Sequence, residues 1–147
     1  MTKALWERFS YPEDGVFGGL RYGREGKDWA VHLPGGTRLL YNTPVIEERG
    51  WSYWLKKGKV YTHGGKCVEN ATQAVARNLL RDAWVEANQA GLNVVMTVHD
   101  EIVCVQREDE AEKARDILTK IMSTAPAWAP DLPVEAEAKI CNSYAEK

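Results

Sequence analysis

A chain of 147 residues can bury roughly 68–70% of the surface its unfolded form exposes, which is enough for a true core. Six Trp, six Tyr and two Phe, with 44% hydrophobic and 27% charged residues, exclude disorder as the dominant state. The longest apolar run, Leu92–Val98, is far shorter than the ~20 residues of a membrane-spanning helix, so no membrane partner is expected.

The N-terminal Met1–Tyr11 lacks the apolar stretch of a secretory signal. Cys67, Cys104 and Cys141 are odd in number and widely spaced, which suits reduced thiols rather than a disulfide framework. The chain is therefore expected in a reducing, cytoplasmic setting. His63 and Cys67 lie four apart, but no CxxC or second His completes a zinc site. A small buried thiol is the better reading of Cys67.

The formal charge of −2 hides a gradient. Gly15–Lys66 carries nine basic against four acidic residues, while Glu108–Lys147 carries five against nine. The basic stretch also holds Trp29, Tyr41, Trp51, Tyr53, Trp54 and Tyr61. Such interleaving suits either a nucleic-acid surface or a charged sheet face over an aromatic core. Composition alone favours the core.

Along the chain, Trp29–Leu33, Arg38–Asn42, Trp51–Lys56 and Val60–His63 read as short strands. Pro34-Gly35-Gly36 and Lys57-Gly58 punctuate them as turns. From Val68 to Ala90 the apolar and small residues Val68, Ala71, Thr72, Val75, Ala76, Leu79, Leu80, Ala83, Trp84 and Ala87 recur at three-and-four spacing. This predicts an amphipathic helix, stopped at Gly91. Leu92–Val98 and Ile102–Gln106 are rich in β-branched residues and predict two strands around a His99-Asp100-Glu101 turn. Glu108–Thr124 predicts a second helix, with Ala111, Ala114, Leu118, Ile121 and Met122 on one face and Pro126 and Pro130 beyond it. Leu132–Ile140 is expected to return as a strand. The expected fold is α+β, with an antiparallel sheet and a hairpin packed on two long helices.

The chemistry concentrates at His99-Asp100-Glu101. Successive strand residues face opposite ways, so Asp100 and Glu101 cannot both point inward, whereas a turn exposes both. Two carboxylates at a sheet rim suit Mg²⁺, which takes one or two hard oxygen ligands plus substrate phosphates. A merely polar hairpin turn explains the same residues.

Tyr61–Leu80, YTHGGKCVENATQAVARNLL, followed by VMTVHDEIV, resembles the C-terminal palm of family A (Pol I-like) DNA polymerases, especially the bacteriophage branch. Leu33–Arg38 (LPGGTR) is similar to the family's LPSGR-type turn, APDLPVEAEAKI resembles the closing segment of the phage enzymes, and Leu5-Trp6 is a weaker match. The resemblance covers residues 29–147 of an expected single domain and leaves 1–28 poorly matched. It implies that Asp100 is the motif C carboxylate for the catalytic metals (Mg²⁺ or Mn²⁺) and that Glu101 supports it. His99 would lie near the primer terminus. Gln73 would hydrogen-bond the minor-groove acceptors that all correct base pairs share, with Asn70 on the same helix. Arg77 is a candidate phosphate contact, though a plain helix-surface Arg serves as well. Cys67 stands where the branch often has an aliphatic residue. Asn78 stands where an Asp is usual and is read as a helix-surface position.

Two-metal nucleotidyl transfer needs carboxylates on both sides of the metal pair. The family supplies the second from a DxSxxE-type segment, and no Asp of this sequence has that context. The nucleotide-binding fingers helix is absent as well. The resemblance thus implies a polymerase fragment or subunit in a bacterial or phage-infected cell. It would be inactive without a complementary chain carrying motif A and the fingers, and would act with primer-template DNA and dNTP. The exposed hairpin edge would receive that chain or a second copy. The competing reading is a non-catalytic DNA-binding module or a decayed prophage remnant. An unrelated hydrolase built on His99, Asp100 and Glu101 lacks any further ligand cluster.

Overall fold

Alternation organises the first part of a computed structural model that describes residues 14–48 and 50–146. The Met1–Tyr11 reading and the Leu5-Trp6 match lie outside the described residues. Six strands form one antiparallel sheet in sequential order: β1 (Gly15–Phe17), β2 (Leu20–Glu25), β3 (Asp28–His32), β4 (Arg38–Glu47), β5 (Gly50–Leu55) and β6 (Gly58–Thr62). Trp29 pairs with Tyr41, Ala30 with Leu40 and Trp51 with Thr62, which fixes the register. One face therefore carries Tyr22, Trp29, Val31, Tyr41 and Trp51, and it is buried.

Helix α1 (Gly64–Gln89) covers that face with its first half. Cys67 and Ala71 are buried in the aromatic cluster, and Val68, Ala74 and Val75 pack against it. The helix begins four residues before the apolar repeat does, and Gly64-Gly65 are its first residues. It ends as expected. Gly91 takes φ +84°, Leu92 N–H donates to Ala87 O at 3.0 Å, and Gly91 N–H donates to Asn88 O at 3.0 Å. These are the paired bonds of a Schellman stop, which needs a residue tolerant of positive φ.

The chain divides into two compact units, Met1–Ala76 and Arg77–Lys147. In the second, β7 (Val94–Val98) and β8 (Glu101–Cys104) form a separate two-stranded antiparallel sheet. A short 3₁₀ turn (Glu108–Glu110) leads into α2 (Ala111–Met122). Leu92, Ile102, Leu118 and Ile121 join Leu80 and Ala87, from the later half of α1, in a small aliphatic core. The α+β class with mainly antiparallel sheet and two helices is as expected, although α2 is the shorter helix.

Three sequence readings need correction. Leu132–Ile140 alternates like a strand but pairs with nothing as one: Ala136 N–H donates to the Ser123 hydroxyl at 3.1 Å instead of to a ladder. Strands β1 and β2 are not marked by the sequence, because Gly15, Gly18, Gly19 and Gly23 break up the apolar residues Val16, Phe17, Leu20 and Tyr22. Asn78 is only 3% exposed, so it sits on the inward stripe of α1 and not on its surface.

Candidate functional site

The acidic tip is built by a tight hairpin. Val98 pairs with Glu101, so the connection has two residues, His99 and Asp100. Two-residue connections match the twist of their strands only when a loop residue adopts positive φ. Here His99 does so, at +53°. Glycine is the usual choice, so an imidazole at this position carries strain of about 1–3 kcal/mol. The strain falls on the residue beside the candidate metal ligand.

Asp100 is exposed at the tip and makes no ion pair among the described residues. Glu101 is not in the turn. It is the first residue of β8 and half-buried, opposite in facing to the buried Ile102. The Tyr144 hydroxyl lies 3.2 Å from Glu101 Oε2 and donates to it, which orients that carboxylate without neutralising it. Tyr144 was not singled out by the sequence. It lies 43 residues from Glu101, and no local pattern links the two. The hairpin face that carries Glu101 is apolar and open, with Met96 and Val105 exposed, and the bulged Val95 beside them is exposed too.

Asp100 and Glu101 offer hard oxygen donors on adjacent residues, which fits part of a Mg²⁺ site. Among the described residues no group of three or more His, Cys, Asp and Glu side chains comes together to hold a metal. His63 is exposed while Cys67 is buried beside Thr62, its Sγ 3.8 Å from the Thr62 hydroxyl. Burial pushes the Cys67 thiol up from 9.0 to about 11, against the lowering effect of Thr62 and Tyr41. It is packed as a small apolar side chain.

The remaining candidates lie on α1. Gln73 is exposed, and its amide donates to Glu69 Oε1 at 3.3 Å. Asn70 turns toward the sheet and donates to the Tyr41 hydroxyl at 3.3 Å. Arg77 is exposed, four residues beyond Gln73, and carries no ion pair among the described residues. The structure thus brings His99, Asp100 and Glu101 together in the second unit, while Asn70 and Gln73 belong to the first.

Beyond α2 the chain is held by polar contacts. Trp128 Nε1–H donates to Asp82 Oδ2 at 3.0 Å, and Arg81 Nε–H donates to Asp82 Oδ1 at 2.9 Å. Burial alone would raise the Asp82 pKa, but the Trp128 hydrogen bond and the Arg81 guanidinium outweigh it and hold the carboxyl below its ordinary range.

No protein-family model matches the chain, and no solved structure does. Over 137 residues it is 35% identical to a DNA polymerase of Bacillus phage SP02. That likeness takes in 86% of this chain and 21% of the phage protein, so the chain spans about a fifth of its relative's length. It supports a DNA polymerase-related fragment. No helix among the described residues is long and apolar enough to cross a membrane.

Proposed function

We propose that these residues are the C-terminal palm portion of a family A-type DNA polymerase and that Asp100 is its motif C metal ligand. The observation that carries the reading is an exposed aspartate at the tip of a strained two-residue hairpin. Likeness to a phage DNA polymerase over 86% of the chain supports it. Bound Mg²⁺ or Mn²⁺ would supply Lewis-acid activation of a primer hydroxyl and charge neutralisation of the triphosphate.

The chain's own residues do the rest. Asp100 offers an unpaired carboxylate to a cation. Glu101, oriented by Tyr144, adds negative potential beside it and favours divalent charge. His99 sits next to the ligand, near the primer terminus. Gln73 leaves α1 as an amide donor suited to minor-groove acceptors, and Arg77 is placed one turn on for a phosphate. Asn70 acts by holding the helix to Tyr41. The DNA primer-template and dNTP are the substrates.

Carboxylates for the other side of the metal pair come from polypeptide outside these residues, and the isolated chain is inactive. That polypeptide, or a second copy of this chain, covers the open edge of β7–β8. A two-stranded hairpin is marginal alone, and an apolar outer face with unpaired edge groups invites a partner.

The test is a graft. Residues 14–147 replace the matching segment of the Bacillus phage SP02 polymerase, and primer extension is measured. The graft is expected to incorporate dNTPs, and Asp100→Ala is expected to lower the rate by at least about 100-fold, a typical loss when a transition-state charge partner is removed. Extension that survives Asp100→Ala would remove the assigned role. Metal-independent duplex binding by a graft that extends nothing would favour the non-catalytic module.

A further inference from the structure

The aromatic residues of the basic stretch divide between the two faces of the six-stranded sheet. Trp29, Tyr41, Trp51 and Tyr53 share the inner face, and their ring centroids lie 5.0–5.9 Å apart. Trp54 and Tyr61 lie on the other face: Trp54 pairs with Lys59, and Tyr61 pairs with Ser52, which alternates with Trp51 and is itself fully buried. They are 50% and 68% exposed. Core packing therefore accounts for four of these six aromatics and leaves two unexplained.

The surroundings of those two are chemically specific. Leu40 and Val45 of β4 extend the same face and are exposed. Lys59 Nζ lies 5.1 Å from the centre of the Tyr61 ring. It also pairs with Glu47, which neutralises that carboxylate, while Glu48 just beyond β4 is exposed. Lys56 and Lys57, at the turn between β5 and β6, are exposed and make no ion pair among the described residues. The face thus sets two exposed rings and two exposed aliphatic side chains around a Ser52–Glu47–Lys59 cluster, with unpaired lysines at its rim.

We infer that this outer face is a platform for one unpaired nucleic-acid strand, with bases stacking on Trp54 and Tyr61 and phosphates held by Lys56 and Lys57. Exposed flat rings are useful to bases that are not already stacked in a duplex, and stacking tolerates any sequence; Lys59 already sits over one face of Tyr61, so a base would stack on the other. Diagonal positions on paired strands lie roughly 7–8 Å apart. That is about twice the ~3.4 Å advance per nucleotide of a stacked strand, so the two rings suit a splayed strand or alternate bases. A polyanion also matches the free lysines, which a neutral apolar partner would leave unused. The platform requires no metal and none of the residues at the acidic tip, so it stands independently of the polymerase reading.

The experiment uses the full chain with fluorescein-labelled (dT)20, in EDTA, followed by anisotropy and by quenching of tryptophan fluorescence. Saturable binding is expected, with duplex of the same length a weaker competitor. Trp54→Ala with Tyr61→Ala should weaken binding by about tenfold or more. Lys56→Gln with Lys57→Gln should flatten the dependence of log K on log salt by about 1.4, at ~0.7 per phosphate contact on a single strand. All four side chains are exposed, and near-ultraviolet circular dichroism of the buried aromatic cluster reports whether each variant is folded. No binding of (dT)20, or binding unchanged in the folded double aromatic variant, overturns the inference. So does self-association of the chain that the aromatic variant abolishes, which would make this face a protein interface. Because the titration is run without metal, its outcome is separate from that of the Asp100 graft.

Discussion

The two units spend their apolar residues differently. In Met1–Ala76, two fully buried tryptophans and their aromatic neighbours fill the space between a six-stranded sheet and a helix. In Arg77–Lys147 the core is six buried aliphatic residues with no aromatic among them, set against a two-stranded sheet whose outer face is open. The unit with the denser core bears no candidate metal ligand, and the thinner unit bears the acidic tip. Sites that must accept ligands or partners draw on regions of low local stability. Under the proposed function, residues at the tip must stay uncovered by their own chain to reach substrate.

Removing Trp51 is the strongest way to test this contrast. Its ring packs against Trp29 and Tyr41 at centroid distances of 5.5 and 5.0 Å and is fully buried. Trp51→Ala should cost about 3–5 kcal/mol in urea denaturation. In native-state hydrogen exchange, amides of Trp29–Val31 should be better protected than those of Val94–Val98 in the unsubstituted protein. Equal protection of the two would erase the distinction between the units.

The pH response of the first unit is the next largest effect. Cys67 has its thiol raised from 9.0 to about 11 by burial, and burial raises the neighbouring Tyr41 hydroxyl as well. A raised folded-state pKa means that the folded form holds protons that the unfolded form has lost. Stability is then fully present below pH 9 and falls as pH rises through about 11, by about 2–3 kcal/mol if Cys67 acts alone. Thermal melts between pH 8 and pH 11 measure this. At pH 8 an alkylating reagent should label the exposed Cys141 and spare Cys67 in the folded chain. Rapid labelling of Cys67 would mean that the aromatic core opens readily.

What the sequence made legible follows from local pattern. The long helix, its stop at Gly91 and the β7–β8 hairpin each rest on periodicity or turn chemistry within a few residues, and each formed. For the aromatics of the basic stretch composition favours the core, which holds for Trp51, but strand alternation sends Trp51 inward and Trp54 outward only once the register is known. Long-range contacts left no local trace. Tyr144 reaches Glu101 across 43 residues, and Asn78 is buried although its residue type favours the surface. The alternation of Leu132–Ile140 misled because a strand also needs a neighbour with free backbone groups. At the candidate site, motif and spacing marked His99-Asp100-Glu101, but only the backbone separates Asp100, in the turn, from Glu101, on the strand.

The smallest predicted effect addresses how the thinner unit keeps its last segment in place. With few apolar side chains available, Trp128 is fastened through its indole N–H to Asp82, which Arg81 also holds. The Asp82 carboxyl is depressed despite its partial burial, so its contribution to stability is present above the unfolded-state pKa of about 4 and is lost as pH falls through the lower folded value. The site is partly open to solvent, which limits the contribution to about 0.5–1 kcal/mol. Trp128→Phe keeps most of the ring and removes the donor. It should cost about that amount at pH 7, and progressively less as the pH is lowered through the folded carboxyl's depressed range, where a protonated carboxyl no longer rewards a donor. Urea midpoints at pH 7 and at the lowest pH at which the chain stays folded read the difference directly. An equal loss at both would mean that the Trp128 ring, and not its N–H, holds the segment, and the thinner unit would then depend on apolar packing as the denser one does.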